Sequence, residues 1–173
     1  MTTHKIADEL LDGCTQWINL TRFAFEHLVD GLLKMDSSEL RQSSEFKDLA
    51  KRLGSGARHL VHRDFQSQNV VIRNGRAILI DYQGMRLGLP EYDVASLVFD
   101  PYVQLEDAQR EELLAFYHAH RGLDEPLKEW RELIDRCAAQ RLMQALGAYG
   151  YIGEVVGKPE FFRHIPPAMK NLD

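Results

Sequence analysis

The chain has 173 residues, of which 45% are apolar and 27% charged, and its formal net charge is -5 at neutral pH. That length carries one domain with a substantial core and leaves little room for two, while the composition excludes disordered, collagen-like and membrane-inserted chains. The net negative charge gives no general attraction for nucleic acid or anionic membrane, so neither is expected as a partner and any phosphate binding must be local.

Met1 to Asp12 has no basic segment followed by a long apolar run, and no stretch of eighteen uninterrupted apolar residues occurs. Secretion and membrane spanning are therefore not expected. Cys14 and Cys137 lie in apolar helical patterns without CxxC or Cys/His spacing. They read as buried thiols in a reducing cytoplasm.

From Ile6 to Leu33 the apolar positions Ile6, Leu10, Cys14, Trp17, Phe25, Leu28 and Leu32 recur mostly at three- and four-residue steps, which predicts one long amphipathic helix. Asp36, Ser37 and Ser38 interrupt it. A second helix follows with Phe46, Leu49 and Leu53 on one face and Gly54 as its stop. After Gly54-Ser55-Gly56 the pattern becomes that of strands. Leu60-Val61 leads into His62-Arg63-Asp64, then Val70-Val71-Ile72, a turn at Asn74-Gly75, and Ala77-Ile78-Leu79-Ile80 ending at Asp81. Asn-Gly readily takes the positive φ angles of a tight turn, so the two segments form an antiparallel hairpin.

Helix returns at Tyr92 to Phe99, stopped before Pro101, and again from Glu106 to His120, ended by Arg121-Gly122. Pro126 suits the first turn of a longer helix through Trp130, Leu133, Ile134, Cys137, Leu142 and Leu146. Pro159, Pro166 and Pro167 restrict the tail to short helical turns. The expected fold class is α+β and mostly helical, a single domain over residues 1–173 around one small hairpin.

The chemistry is concentrated in His62-Arg63-Asp64-Phe65-Gln66-Ser67-Gln68-Asn69, the hairpin, and Asp81-Tyr82-Gln83-Gly84. The form is H-R-D-x-x-x-x-N, hairpin, D-x-x-G. It resembles the catalytic loop (62–69) and metal loop (81–84) shared by protein kinases and the aminoglycoside phosphotransferase/choline kinase group. Leu79-Ile80-Asp81, Gly88, Tyr92-Asp93-Val94-Ala95-Ser96-Leu97, Gln140-Arg141 and Leu146-Gly147 extend the resemblance toward the N-acetylmuramate/N-acetylglucosamine anomeric kinases. Arg63 stands where many aminoglycoside kinases have Gly, and Tyr82-Gln83 replaces the Phe-Gly of protein kinases.

The resemblance implies a kinase-like large lobe that transfers the γ-phosphate of ATP to a hydroxyl of a small molecule, a sugar or amino sugar. Phosphoryl transfer needs Mg2+, which prefers hard oxygen ligands, and Asp81 with the amide oxygen of Asn69 would be the chain's share. Asp64 would orient the acceptor hydroxyl and take its proton. As an ordinarily weak base it acts by positioning more than by abstraction.

His62, Arg63, Asp93 and Arg141 are supporting candidates. An imidazole at His62 more often braces a loop than reacts. Asp93, opening a short helix, reads as an N-cap in preference to a substrate or metal contact. Arg141 has two open readings, a phosphate ligand or an ion-pair tether for the catalytic loop. Gly147, Gly150 and Gly153 suggest close helix packing or a loosened helix end in preference to a phosphate cradle, and Trp17 and Trp130 core or groove positions.

The Gly-rich phosphate-covering loop and strand Lys of two-lobed kinases are missing from the sequence, since Gly54-Ser55-Gly56 is followed by His59 where a further glycine is required. The expectation is a large lobe without its small lobe, inactive or weakly active alone, with the missing lobe supplied in cis or in trans. Two other readings stand beside it. One is a truncated pseudokinase that binds or regulates a partner and self-associates through the bared lobe interface. The other is a metal-dependent phosphoesterase, disfavoured because dinuclear sites need more carboxylate or His ligands than Asp64 and Asp81 supply.

Overall fold

The computed structural model describes residues 22–122 and 124–173. Most of the first expected helix, including Cys14 and Trp17, lies outside the described residues. Residues 22–24 are α-helical and continue into α1, a π-helical segment at Phe25–Leu32. The Asp36 to Ser38 break is where expected, but two helices follow it, a short α2 at Ser38–Gln42 and α3 at Ser44–Gly54. Ser43 separates them because its backbone is extended and its hydroxyl accepts the Glu45 amide at 3.1 Å, starting α3 with a fresh cap.

The strands form two small antiparallel sheets. In one, β2 (Val70–Arg73) and β3 (Arg76–Leu79) make the expected hairpin, with Val70 opposite Leu79 and Arg73 opposite Arg76. Asn74 and Gly75 take φ angles of 52° and 71°, the left-handed pair that a two-residue turn requires. Regular pairing ends one residue before Ile80, yet the Ile80 amide still donates to the Asn69 carbonyl at 3.0 Å. The second sheet was not legible from alternation. It pairs β1 (His59–Val61) with β4 (Arg86–Gly88), with Val61 opposite Arg86.

Three helices follow. α4 spans Pro90–Val98, two residues earlier than its apolar pattern suggests, because Pro90 opens its first turn. α5 spans Asp107–Arg121; Glu106 and Gln109 close a reciprocal capping box at its start, and Gly122 ends it at φ 63°. α6 runs from Leu127 to Gly150. A π turn at Tyr151–Val155, a 3-10 segment at Pro159–His164 and α7 at Ile165–Leu172 complete the chain. The molecule is thus mostly helical with small antiparallel sheets. Among the described residues no helix is long and apolar enough to cross a membrane.

The core is organised by α6. Trp130, Ile134, Cys137, Leu142 and Leu146 are all at most 2% exposed, and they pack against Ala95 and Val98 of α4, Leu114 of α5 and Leu53 of α3. Burial pushes the Cys137 thiol far above its usual range, as expected of an inert core cysteine. Trp130 donates its indole N–H to buried Glu91 at 3.3 Å, and Arg121 reaches the same carboxylate at 3.2 Å. One carboxylate of α4 therefore joins α5 and α6. The apolar residues of the hairpin are, in contrast, uncovered, with Ile72 at 69% and Leu79 at 45% exposure.

The glycines of α6 and the turn after it are packing devices, as their spacing suggested. A methyl group on Gly147 would come within 2.8 Å of the Ala24 backbone, and one on Gly150 within 2.6 Å of the His27 carbonyl. The obstruction at Gly150 is main chain, which cannot swing aside. Gly150→Ala should therefore destabilise the chain by about 1–3 kcal/mol, read as a lower urea midpoint at unchanged slope.

Candidate active site

The site is assembled on a loop between β1 and β2, and its backbone is held by carboxylates from outside the loop. The Asp93 carboxylate accepts the His62 amide at 2.6 Å and the Arg63 amide at 2.9 Å. Asp100, 1% exposed, accepts the Ser67 amide at 2.7 Å and the Tyr102 amide at 2.9 Å. The N-cap expected of Asp93 is therefore corrected. Leu89 occupies the N-cap position of α4, and Asp93, inside the first turn, turns its side chain back to the loop. A loop that bends away from its strand leaves amides unpaired, and a helix carboxylate satisfies two of them at once.

His62 is buried and donates from Nε2 to the Ile80 carbonyl at 2.9 Å, a direction required because a carbonyl only accepts. It is the brace anticipated from its residue type. It ties the 62–69 loop to the residue before Asp81, while its Nδ1 is buried without a hydrogen-bond partner among the described residues. Asp81 takes a left-handed backbone, φ 64° and ψ 39°, at the end of the hairpin. A short polar side chain tolerates that conformation better than most.

Around Asp64 the side chains converge. Arg141 of α6 donates to Asp64 Oδ1 at 3.0 Å, and Asn69 Nδ2 donates to Asp64 Oδ2 at 3.0 Å and to its carbonyl at 2.8 Å. Gln66 adds a longer bond to Oδ2 at 3.3 Å. Arg141 also reaches Gln66 Oε1 at 3.2 Å and Ser96 Oγ at 3.0 Å. Of its two open readings, the tether is the one this geometry realises. Asn69 spends its amide hydrogens on Asp64, and its amide oxygen has no hydrogen-bond partner among the described residues.

His62, Arg63, Asp64, Asp81 and Arg141 all line one cleft of about 460 Å³, closed on its far side by Tyr102, Tyr149 and Phe161. Asn69 sits beneath Asp64, and Asp93 acts on the loop from behind; neither lines the cleft. Gln66, Gln83, Ser96 and Asp100 were not singled out by sequence reasoning. Gln66 and Gln83 occupy variable positions of the two motifs, where Gln83 donates to the Asp81 carboxylate. Asp100, placed just before Pro101, looked like part of a helix stop. Among the described residues no group of three or more His, Cys, Asp or Glu side chains is arranged to hold a metal.

Burial raises the pKa of Asp93 above the ordinary carboxylate value of 3.8, and the two amide bonds oppose that rise only in part. The folded chain therefore keeps this proton to higher pH than the unfolded chain does. The stability that Asp93 contributes is greatest below pH 3.8 and is lost as pH rises through the elevated folded value. Subtracting the unfolding free energy of Asp93→Asn from that of the parent chain should give a difference that falls with rising pH in this window. A pH-independent difference would contradict the assignment.

The sequence profile of the phosphotransferase enzyme family matches residues 7–141. N-acetylmuramate/N-acetylglucosamine kinase of Neisseria meningitidis serogroup B (strain ATCC BAA-335 / MC58) is 26% identical over 117 residues, covering 65% of this chain and 35% of that protein. The matched stretch is thus about a third of the relative's length. With the family match spanning most of the sequence and including the two loops that carry Asp64, Asn69 and Asp81, the chain belongs to the phosphotransferase enzyme family.

Proposed function

We propose that this chain is the large lobe of an ATP-dependent small-molecule kinase that transfers the γ-phosphate to a hydroxyl of a sugar or amino sugar. The observation that carries the reading is the fixed carboxylate of Asp64. It is held by Arg141 and Asn69 in a cleft it shares with Asp81. Its side chain is 42% exposed, so a hydroxyl can reach it. Hydrogen bonds from Arg141, Asn69 and Gln66 fix the orientation of this carboxylate. It orients the hydroxyl and receives the proton late, as a loose phosphoryl-transfer transition state allows. The name of the meningococcal relative favours an N-acetylated sugar as the acceptor class.

In this proposal Mg2+ would be held by the Asp81 carboxylate on the exposed hairpin end, with the amide oxygen of Asn69 as the second protein ligand. Mg2+ bound with ATP supplies charge neutralisation at the phosphoryl group. His62 contributes by fixing the separation of the two loops through Ile80. In the enzyme completed by its small lobe, Asp64→Ala and Asp81→Ala should each lower kcat by roughly 10²–10⁴-fold with circular dichroism unchanged. Unaltered turnover in both would remove the proposal.

No Gly-rich loop with a following strand Lys occurs in the sequence, so another segment, in cis or in trans, is proposed to cover the nucleotide phosphates. The chain alone should then turn over little ATP. The uncovered apolar residues of the hairpin are the surface that such a segment would bury. A cytoplasmic setting belongs to the same proposal, since ATP is its donor. The second reading, a pseudokinase that binds or regulates a partner, draws on the same exposed hairpin. Sedimentation with turnover separates the two. Self-association without turnover after the small lobe is restored favours the binding module, and restored turnover favours the enzyme.

A further inference from the structure

Behind the catalytic loop lies a second cavity of about 60 Å³, lined by Arg58, Arg63, Arg86, Gly88, Tyr92 and Gln140 among others, with no acidic side chain in its wall among the described residues. The three arginines are not equivalent. Arg58 is engaged with the helix end, donating to the Leu53 carbonyl at 3.1 Å and the Gly54 carbonyl at 2.7 Å. The guanidinium groups of Arg63 and Arg86 have no hydrogen-bond or ion-pair partner among the described residues. The pairing of β1 with β4 explains why they meet. Arg86 lies opposite Val61, and Arg63 follows Val61 by two residues.

Two observations make this arrangement costly unless something answers it. Arg63 is partly buried, and its proton is held more weakly than usual because of burial and then the adjacent Arg86. An uncompensated charge in such a place destabilises the fold. The Asp93 carboxylate, behind the same loop, spends both oxygens on the His62 and Arg63 amides. In addition, Arg63 has φ 72°, a left-handed backbone that glycine adopts freely and a long side chain does not. The position thus carries a strained, unpaired cation where a glycine would sit without penalty.

We propose that this cavity binds a phosphate-type oxyanion, held between the guanidinium groups of Arg63 and Arg86. Size and charge select the ligand. A volume of about 60 Å³ is room for roughly four waters, the scale of a single phosphate group. At neutral pH a phosphate carries between one and two negative charges and four acceptor oxygens, which matches two guanidiniums better than a monovalent carboxylate does. Arg63 also lines the catalytic cleft. An anion on its far side would therefore hold the backbone one residue from Asp64.

The test is a titration of the chain with inorganic phosphate, followed by amide NMR at constant ionic strength set with sodium chloride. Saturable shifts are expected at residues 61–63 and 86–88, with affinity at least tenfold weaker in Arg86→Met, whose side chain is exposed and leaves the fold intact. Arg63→Gly should also lose the response, while its thermal midpoint without phosphate rises because the strain and the unpaired charge are both gone. A glycerol phosphate arm identifies the source. Equal binding of the ester points to a phosphomonoester ligand, and binding of inorganic phosphate alone points to the free ion; either upholds the site. Shifts confined to other residues, or an affinity unchanged in Arg86→Met, would overturn it.

Discussion

The loop over residues 62–69 has almost no strand to hold it, and the site's geometry follows from how its backbone amides are satisfied. Two carboxylates do this from outside, Asp93 at the head of the loop and Asp100 near its foot. One stands in the first turn of α4 and the other just beyond its end, so a single helix spans the loop as a rigid ruler. α4 in turn is fixed against α6 by Val94, Ala95 and Val98, and against α5 and α6 by the buried Glu91. The position of Asp64 is therefore set by helix packing, and the hairpin makes its contribution through His62.

The hairpin continues from the loop at Asn69, whose carbonyl accepts the Ile80 amide. His62 joins them with one bond to Ile80, the residue that precedes Asp81. Arg141 adds a third element by reaching from α6 to Asp64, Gln66 and Ser96. The result is a carboxylate with few rotamers left to it. For the proposed phosphoryl transfer, in which orientation and charge placement matter more than base strength, that restriction is the chemically useful outcome.

The surface is uneven in a way that fits this division of labour. α6 is buried along much of its length, with Gly147 and Gly150 letting the backbones of residues 24 and 27 approach closely. The hairpin, by contrast, shows apolar side chains to solvent on both faces. Most of the chain's apolar burial thus lies on the helical side of the site, and the strand side contributes geometry with little packing of its own.

By itself the amino-acid sequence determined the parts whose cause is local. The Asn74-Gly75 turn, the proline start and helical period of α6, the Gly122 stop and the placement of Asp64, Asn69 and Asp81 around one hairpin all follow from backbone preference or fixed spacing. Tertiary structure decided what depends on distant partners. Asp93 looks like an N-cap in sequence because an acid near a helix start usually serves its own helix, yet here it serves amides thirty residues away in the chain. Arg141 could be sorted between ligand and tether only by the packing of α6 against the loop. The pairing of β1 with β4 was hidden because three-residue strands are too short for alternation to register, and it is that pairing which brings Arg63 and Arg86 together. Long-range contacts of this kind have no period along the chain, so only the folded backbone reveals them.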